Sequence, residues 1–270
     1  MPPSGLLNLN KPSGITSRKV VDQVQALVRP AKVGHAGTLD PLARGVLVVG
    51  VGAATRLIEY VQRMPKQYTG TFLLGRTSPT EDIEGEVTEL EKPPVPTLEA
   101  IVRAAAALTG EIRQRPPAFS ALKVGGRRAY DLARQGHQVE LEPRNVTVYT
   151  LAVEAYDYPR LTLRVACGAG TYVRSLGRDL AESLSTAAVM SDLVRTAVGG
   201  FHLEDAVDPQ LLSPDGWMPY LRPPVAAVAG LPRVELSPQE AARVRQGQTI
   251  EKAAPETDAE ELAALDADGR

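Results

Sequence analysis

One carboxylate stands apart in the stretch Gly34-His35-Ala36-Gly37-Thr38-Leu39-Asp40-Pro41-Leu42-Ala43-Arg44-Gly45-Val46-Leu47. Glycines punctuate a loop between a helical segment and an apolar strand. Such a loop lets the backbone approach a ligand closely and present a single acid, Asp40, to it. A plainer reading is also open: Asp followed by Pro is a good helix start, with Asp40 as N-cap and Pro41 at the first helical position. A glycosidase-type hydrolysis would need a second acid roughly 5–10 Å away, and this loop offers only Asp40. Three histidines (His35, His137, His202) and one cysteine (Cys167) show no metal-ligand spacing, so the expected chemistry uses neither metal nor cofactor.

Three further blocks accompany the Asp40 loop, in this order along the chain. Leu9-Asn10-Lys11-Pro12-Ser13-Gly14-Ile15-Thr16-Ser17 precedes it. Pro116-Pro117-Ala118-Phe119-Ser120-Ala121-Leu122-Lys123 and Cys167-Gly168-Ala169-Gly170-Thr171-Tyr172-Val173-Arg174-Ser175-Leu176 follow it. Together the four blocks resemble the bacterial tRNA pseudouridine-55 synthases, the TruB family, over about Leu6 to Val198. The resemblance implies the pseudouridine-synthase fold and an isomerase that turns a uridine of the tRNA T-loop into pseudouridine.

The resemblance also assigns roles. Asp40 is the implied nucleophile, attacking ribose C1′ or uracil C6. Arg174 is its implied partner, a guanidinium that keeps the carboxylate ionised and aims it; an ordinary surface pair with Asp179 or Glu182 is the alternative. Tyr68 matches the residue that stacks on the target base, where a ring is worth roughly 1–3 kcal/mol. A core aromatic on an alternating strand is its plain reading. Tyr172 is a second ring, beneath the uracil, and Leu193 lines the same pocket. His35 implies a shape role, filling the space a flipped uridine vacates. Lys11 and Pro12 are implied to buttress the Asp40 loop. Lys123, Arg127 and Arg128 lie in an insertion, 113–144, implied to be a mobile arm over the T-arm, with Gly125 and Gly126 suiting flexibility. An RNA-binding module without catalysis is the remaining rival; it would need Asp40 or Arg174 to be altered, and both are present.

Composition sets the bounds. The chain has 270 residues, enough for one large domain and a small one. Hydrophobic content of 43% and charged content of 23% are those of a soluble globular protein. No run is apolar over the roughly 18 residues a membrane span needs, and the N-terminus lacks the pattern of a signal peptide. A single cysteine excludes an internal disulfide and fits a reducing cytoplasm; Cys167 reads as a small buried strand residue. A net charge of −2 argues mildly against a nucleic-acid partner, but its distribution does not. The last twenty residues hold seven acids against two bases, leaving 28 bases and 25 acids in the first 250. Between Arg113 and Arg134 there are six bases and one acid, a local field able to bind phosphates. The expected partner is tRNA through its T-arm, with no membrane, no small-molecule cofactor and a monomeric chain.

The elements that must position these residues follow from periodicity. Leu6–Leu9, Val46–Val51, the alternating stretch around Tyr68, Val146–Ala155 and Leu161–Ala166 read as strands. Thr16 or Ser17 caps a helix through Val28. Ala54–Val61 marks another, Thr97 caps a third that Gly110 ends, and Thr171 opens one running to Leu184. Helices and strands mix without regular βαβ alternation, which predicts α+β with a mostly antiparallel central sheet flanked by helices. The resemblance implies two domains, 1–229, catalytic, and 230–270, a PUA-like segment. Within the second, Ser237-Pro238-Gln239-Glu240 is a capping box. The segment reads as incomplete, because Ala267-Asp268-Gly269-Arg270 resembles a hairpin turn with no returning strand.

Overall fold

The computed structural model describes residues 3–120, 122–137, 141–251 and 259–269. Its centre is a ten-stranded sheet. The strands are β1 (Gly5–Lys11), β2 (Val33–His35), β3 (Arg44–Val51), β4 (Lys66–Leu74), β5 (Gly110–Gln114), β6 (Arg144–Asp157), β7 (Arg160–Cys167), β8 (Ala188–Val198), β9 (Phe201–His202) and β10 (Leu221–Arg222). They run in the order β10-β1-β3-β8-β4-β7-β6-β5, with β2 on β3 and β9 on β8. Every pairing in this sheet is antiparallel except one, β3 against β8, where Val194 faces Arg44 and Arg195 faces Gly45. The α+β expectation therefore holds.

That parallel join depends on Gly45. Its φ is +104°, and a Cβ there would lie 2.3 Å from the Arg195 carbonyl oxygen. Only glycine lets the two backbones approach so closely. The chain leaves the Asp40 loop at this point, so the join fixes the loop to the middle of the sheet.

The helices pack as their patterns dictate. The first, α1 (Ser17–Val28), is capped by Thr16, whose side chain accepts from Lys19 N, and buries Val20, Val21, Val24 and Val28. The helix expected over Ala54–Val61 is split. Gly52–Leu57 is a 3₁₀ turn, and α2 (Ile58–Arg63) continues from it. The third, α3 (Leu98–Ala107), has Thr97 as cap but buries only Ile101 and Ala105; Leu98 and Val102 face outward. A short α4 (Ala129–Arg134) closes the insertion, and α5 (Val173–Ser183) begins at Tyr172 rather than Thr171. On the last, α6 (Pro238–Arg245), the predicted capping box is formed in full.

Two layers of core flank the sheet. Phe72, Leu163, Val165, Leu176 and Leu180 pack α5 and α3 against one face, while Leu7, Leu9, Val20, Val24, Leu47 and Val49 pack α1 against the other. No helix among the described residues is long and apolar enough to cross a membrane. Beyond the sheet, Arg233–Glu235 and Ala263–Leu265 pair in parallel. The segment carrying the second of these touches the main body where Arg63 donates to Glu261 Oε2 at 3.0 Å.

Candidate active site

Asp40 is a loop residue, and no helix starts at it. Its carbonyl accepts from Ala43 N at 3.1 Å in a single turn, after which the chain enters β3. The capping reading fails because the loop is gripped from below. Ser17 Oγ, at the start of α1, donates to Leu39 O at 3.1 Å and accepts from Leu39 N at 2.9 Å. Gly14 N and Ser13 Oγ bind Pro41 O and Leu42 O, each at 2.8 Å. Lys11 is fully buried, and its ammonium donates to Ile15 O, Pro12 O and, at 3.4 Å, Pro41 O. The Asn10-Lys11-Pro12 turn thus lies directly under the Asp40 loop.

The Asp40 carboxylate opens into a cavity of about 400 Å³. Arg174, on the first turn of α5, reaches it with Nε 3.1 Å from Oδ2. The guanidinium is nearly fully buried, and both of its terminal nitrogens are bonded as well. Nη1 binds Asp82 Oδ2 at 3.1 Å and Thr80 O at 2.6 Å, and Nη2 binds Phe119 O at 3.0 Å. Arg174 therefore joins three of the four sequence blocks to a fourth strand of chain, the turn at Thr80–Asp82. The surface pairing with Asp179 or Glu182 does not occur: Asp179 binds Arg178, and Glu182 lies 3.9 Å from Arg115.

Burial pushes the Asp40 carboxyl above the ordinary carboxylate range. Arg174 pulls it down, Asp82 pushes it up, and Lys11 pulls it down again. Arg174 and Lys11 thus oppose a larger effect of desolvation on the same carboxyl. Lys11 is itself lowered to about 8 by burial.

Tyr68, on β4, lines the cavity and is buried. Arg195, its cross-strand neighbour on β8, lines the same cavity. Burial raises the phenol, and the Arg195 charge draws it back. Leu193, two residues earlier on β8, lines the same wall. Tyr172 lines the opposite rim. Gln114 clamps its backbone, donating to Tyr172 O at 3.0 Å and accepting from Tyr172 N at 2.8 Å. The Arg144 guanidinium stands 5.1 Å from the Tyr172 ring centroid and donates to Gly170 O at 2.7 Å.

His35, Arg127 and Arg128 lie outside the cavity lining. His35 sits in β2 and accepts from Gly37 N at 3.3 Å; burial and Arg195 both lower its pKa. Lys123, Arg127 and Arg128 belong to a hairpin, 123–124 against 127–128. Gly125 and Gly126, at φ +57° and +85°, are its two central residues. Positive φ at both is what a tight hairpin turn requires, so this glycine pair builds the turn that joins the two short strands. Arg127 donates to Gln135 Oε1 at 2.6 Å. Ala121, at the end of the middle block, lies outside the described residues.

Asp82, Gln114 and Arg195 complete the site, and none belongs to the four sequence blocks. The only advance signal was Arg195, a charge inside the apolar run Leu193-Val194…Ala197-Val198. A buried cation in such a strand needs a purpose.

The family model for TruB family pseudouridylate synthase (N terminal domain) matches residues 25–173. A tRNA pseudouridine synthase B of Streptococcus pneumoniae serotype 4 is 42% identical over 275 residues, which cover 98% of this chain and 93% of that protein. Its counterpart in Arthrobacter sp. (strain FB24) is 43% identical over 253 residues, covering 92% and 82%. Among solved structures, a chain of a Cbf5-Nop10-Gar1 complex superposes with a TM-score of 0.75 at 27% identity, covering 98% of this chain and 75% of that one.

Proposed function

Because the chain belongs to the TruB family of pseudouridylate synthases, we propose that it isomerises uridine 55 in the T-loop of tRNA, with Asp40 as nucleophile on a flipped-out nucleotide. The observation that carries this reading is the pairing of Asp40 with Arg174 at 3.1 Å on the wall of a cavity that Tyr68, Tyr172 and Leu193 also line. One aimed carboxylate and two rings in a cavity also lined by Lys66, Arg174 and Arg195 suit an unstacked pyrimidine. They do not suit a hydrolysis that needs a second acid beside the first.

The reaction breaks the bond between ribose C1′ and uracil N1, turns the base, and joins C1′ to C5. Nothing is oxidised, and one proton moves overall from C5 to N1. Asp40 attacks at C1′ or C6; either route needs the ionised carboxylate, which Arg174 and Lys11 favour against burial. Tyr68 and Tyr172 offer ring faces, and Leu193 excludes water.

Access requires the uridine to leave its loop. A folded T-loop is read by shape and by phosphate contacts, and its target is then extruded into the pocket. The 113–144 insertion, with Arg127 and Arg128 exposed on its hairpin, is the arm that contacts the T-arm, while Lys123 opens the same hairpin. His35 takes the place the uridine leaves. Residues 1–229 form the catalytic domain, and 230–270 is a PUA-like segment. The enzyme acts as a cytoplasmic monomer.

The test is to incubate the protein with an unmodified tRNA transcript and map pseudouridine by carbodiimide-stopped reverse transcription. A single stop at position 55, absent with Asp40→Asn, is expected. Conversion by Asp40→Asn at the wild-type rate would remove the nucleophile assignment.

A further inference from the structure

Arg195 is about 2% exposed, yet among the described residues no carboxylate lies within ion-pair distance of its guanidinium. Its Nε donates to Val46 O at 2.7 Å and its Nη2 to Gly37 O at 3.1 Å. Tyr68 is its cross-strand neighbour on β4, and the two side chains line the same cavity. Arginine does not shed its proton in a protein interior. A buried cation without a counter-charge is costly unless it offsets negative charge that arises at some stage.

The surroundings strengthen the point. Lys66, also buried, donates to Met64 O at 2.7 Å and to Gln62 O, and has no acidic partner among the described residues. The field of Arg195 reaches Lys66, Lys11 and His35 as well as Tyr68. Lys66 and Arg195 thus give one wall of the cavity two cations without an acidic partner among the described residues, and Tyr68 is the ionisable group that lines the cavity between them. The backbone holds the pair in register. Arg195 faces Tyr68 across β8 and β4 and faces Gly45 across the parallel join, just before an irregularity in the β8–β4 ladder.

We propose that Arg195 is the positioning residue for Tyr68, holding its hydroxyl against the target base and offsetting the charge on that oxygen while it carries one proton from phenol to N1 and back from C5. The inference rests on the pseudouridine-forming reading above. When the N1–C1′ bond breaks, its electron pair stays on the base, and the phenol proton passes to N1. Tyr68 is then a phenolate beside the Arg195 guanidinium. Turning the base brings C5 to the place N1 occupied. After C1′ bonds to C5, that carbon still carries its hydrogen. The phenolate takes it as a proton, the C–H electron pair restores the C5–C6 double bond, and the phenol is regenerated. No outside acid, base or oxidant is needed.

The test is a single-turnover rate at saturating tRNA transcript, made with uridine and with 5-deuterouridine. Arg195→Gln should slow conversion about a hundredfold, the scale of losing one donor to a developing oxyanion, and a deuterium isotope effect should emerge as proton loss from C5 becomes limiting. Arg195→Lys, which keeps the charge, should recover part of the rate. In a Tyr68→Phe background, Arg195→Gln should cost no more than about threefold further, because the two act through one oxygen. Tyr68→Phe alone leaves Arg195's backbone anchors intact, so it reads the same step without risk to the fold; it too should show the isotope effect. Fully multiplicative losses, or a Tyr68→Phe enzyme that is slow without an isotope effect, would overturn the role of Arg195 while leaving the parent reaction standing. A wild-type enzyme that forms no pseudouridine would overturn both.

Discussion

Asp82 lies 3.1 Å from Arg174 Nη1, on the side of the guanidinium opposite to the one that meets Asp40. The acid is buried, and its second oxygen accepts from Thr80 Oγ1 at 2.6 Å and Glu84 N at 3.1 Å. It cannot turn toward solvent. Asp82 therefore fixes where Arg174 stands, and through Arg174 it fixes the aim of Asp40.

Asp82→Asn should keep the size of the side chain while removing its charge. Breaking one arm of a buried ionic network costs up to about 3–5 kcal/mol, and the amide retains some hydrogen bonding, so the thermal midpoint should fall by several degrees (about 2–4 °C per kcal/mol at this size). Single-turnover chemistry should drop by at least about tenfold, with tRNA affinity changed far less, because a misaimed nucleophile costs rate before binding. Quench-flow rates and a filter-binding titration check both arms. A variant with wild-type chemistry would mean that Arg174 holds its place without Asp82.

The pH profile follows from signs. Burial raises Asp40 above 3.8, and a protonated carboxyl is no nucleophile. Conversion should be lost as pH falls through that raised value, so the acid limb should lie above the one an exposed Asp would give. Lys11 pulls the Asp40 pKa down; Lys11→Met should move the limb to higher pH. Asp82 pushes it up; Asp82→Asn should move it lower. Opposite movements in the two variants, measured as single-turnover rate against pH, are the expected result. Limbs that stay put would assign the titration to another group.

Substitutions at Tyr68 separate ring from hydroxyl. Tyr68→Leu removes the stacking face and should weaken both binding and rate, by roughly 1–3 kcal/mol for the lost base contact alone. Tyr68→Phe keeps that face, so tRNA affinity should survive while the rate falls. Full activity in both variants would reduce Tyr68 to a core residue. Full activity in Phe alone would leave stacking as its whole contribution.

These features were unequally legible in the sequence. Strand periods gave β1, β3, β4, β6 and β7 to within a few residues, because each alternates or runs apolar between turn residues. Thr16, Thr97 and Ser237 marked helix starts because their side chains do bind the backbone there. Asp40 was misleading on local chemistry alone. Asp-Pro favours a cap, and only the tertiary grip of Ser17, Ser13 and Lys11 holds the segment as a loop. Asp82 was hidden for the opposite reason. It sits in Ser78-Pro79-Thr80-Glu81-Asp82, a composition that reads as a solvated turn, and its burial is created by Arg174 arriving from far along the chain. Gln114 shows nothing locally, since its whole role is to satisfy both backbone groups of Tyr172.

Recognition should divide cleanly from chemistry. Arg127 and Arg128 are exposed on the insertion hairpin and do not line the Asp40 cavity. Replacing both with Gln should weaken tRNA binding through lost phosphate contacts. The slope of log affinity against log salt should become shallower by about one to two. The rate at saturating RNA should change little, because neither side chain lines the cavity. On the proposed reading, in which the insertion and the cavity read the T-arm, a stem-loop carrying only that arm should still be converted. Titrating the wild type and the double variant with stem-loop and whole tRNA across a salt series checks all three statements. A stem-loop that is inert while whole tRNA reacts would place essential recognition beyond the T-arm. An unchanged salt slope in the double variant would leave the phosphate contacts to other bases, with Arg144, stacked on Tyr172 at the rim of the cavity, the first to substitute next.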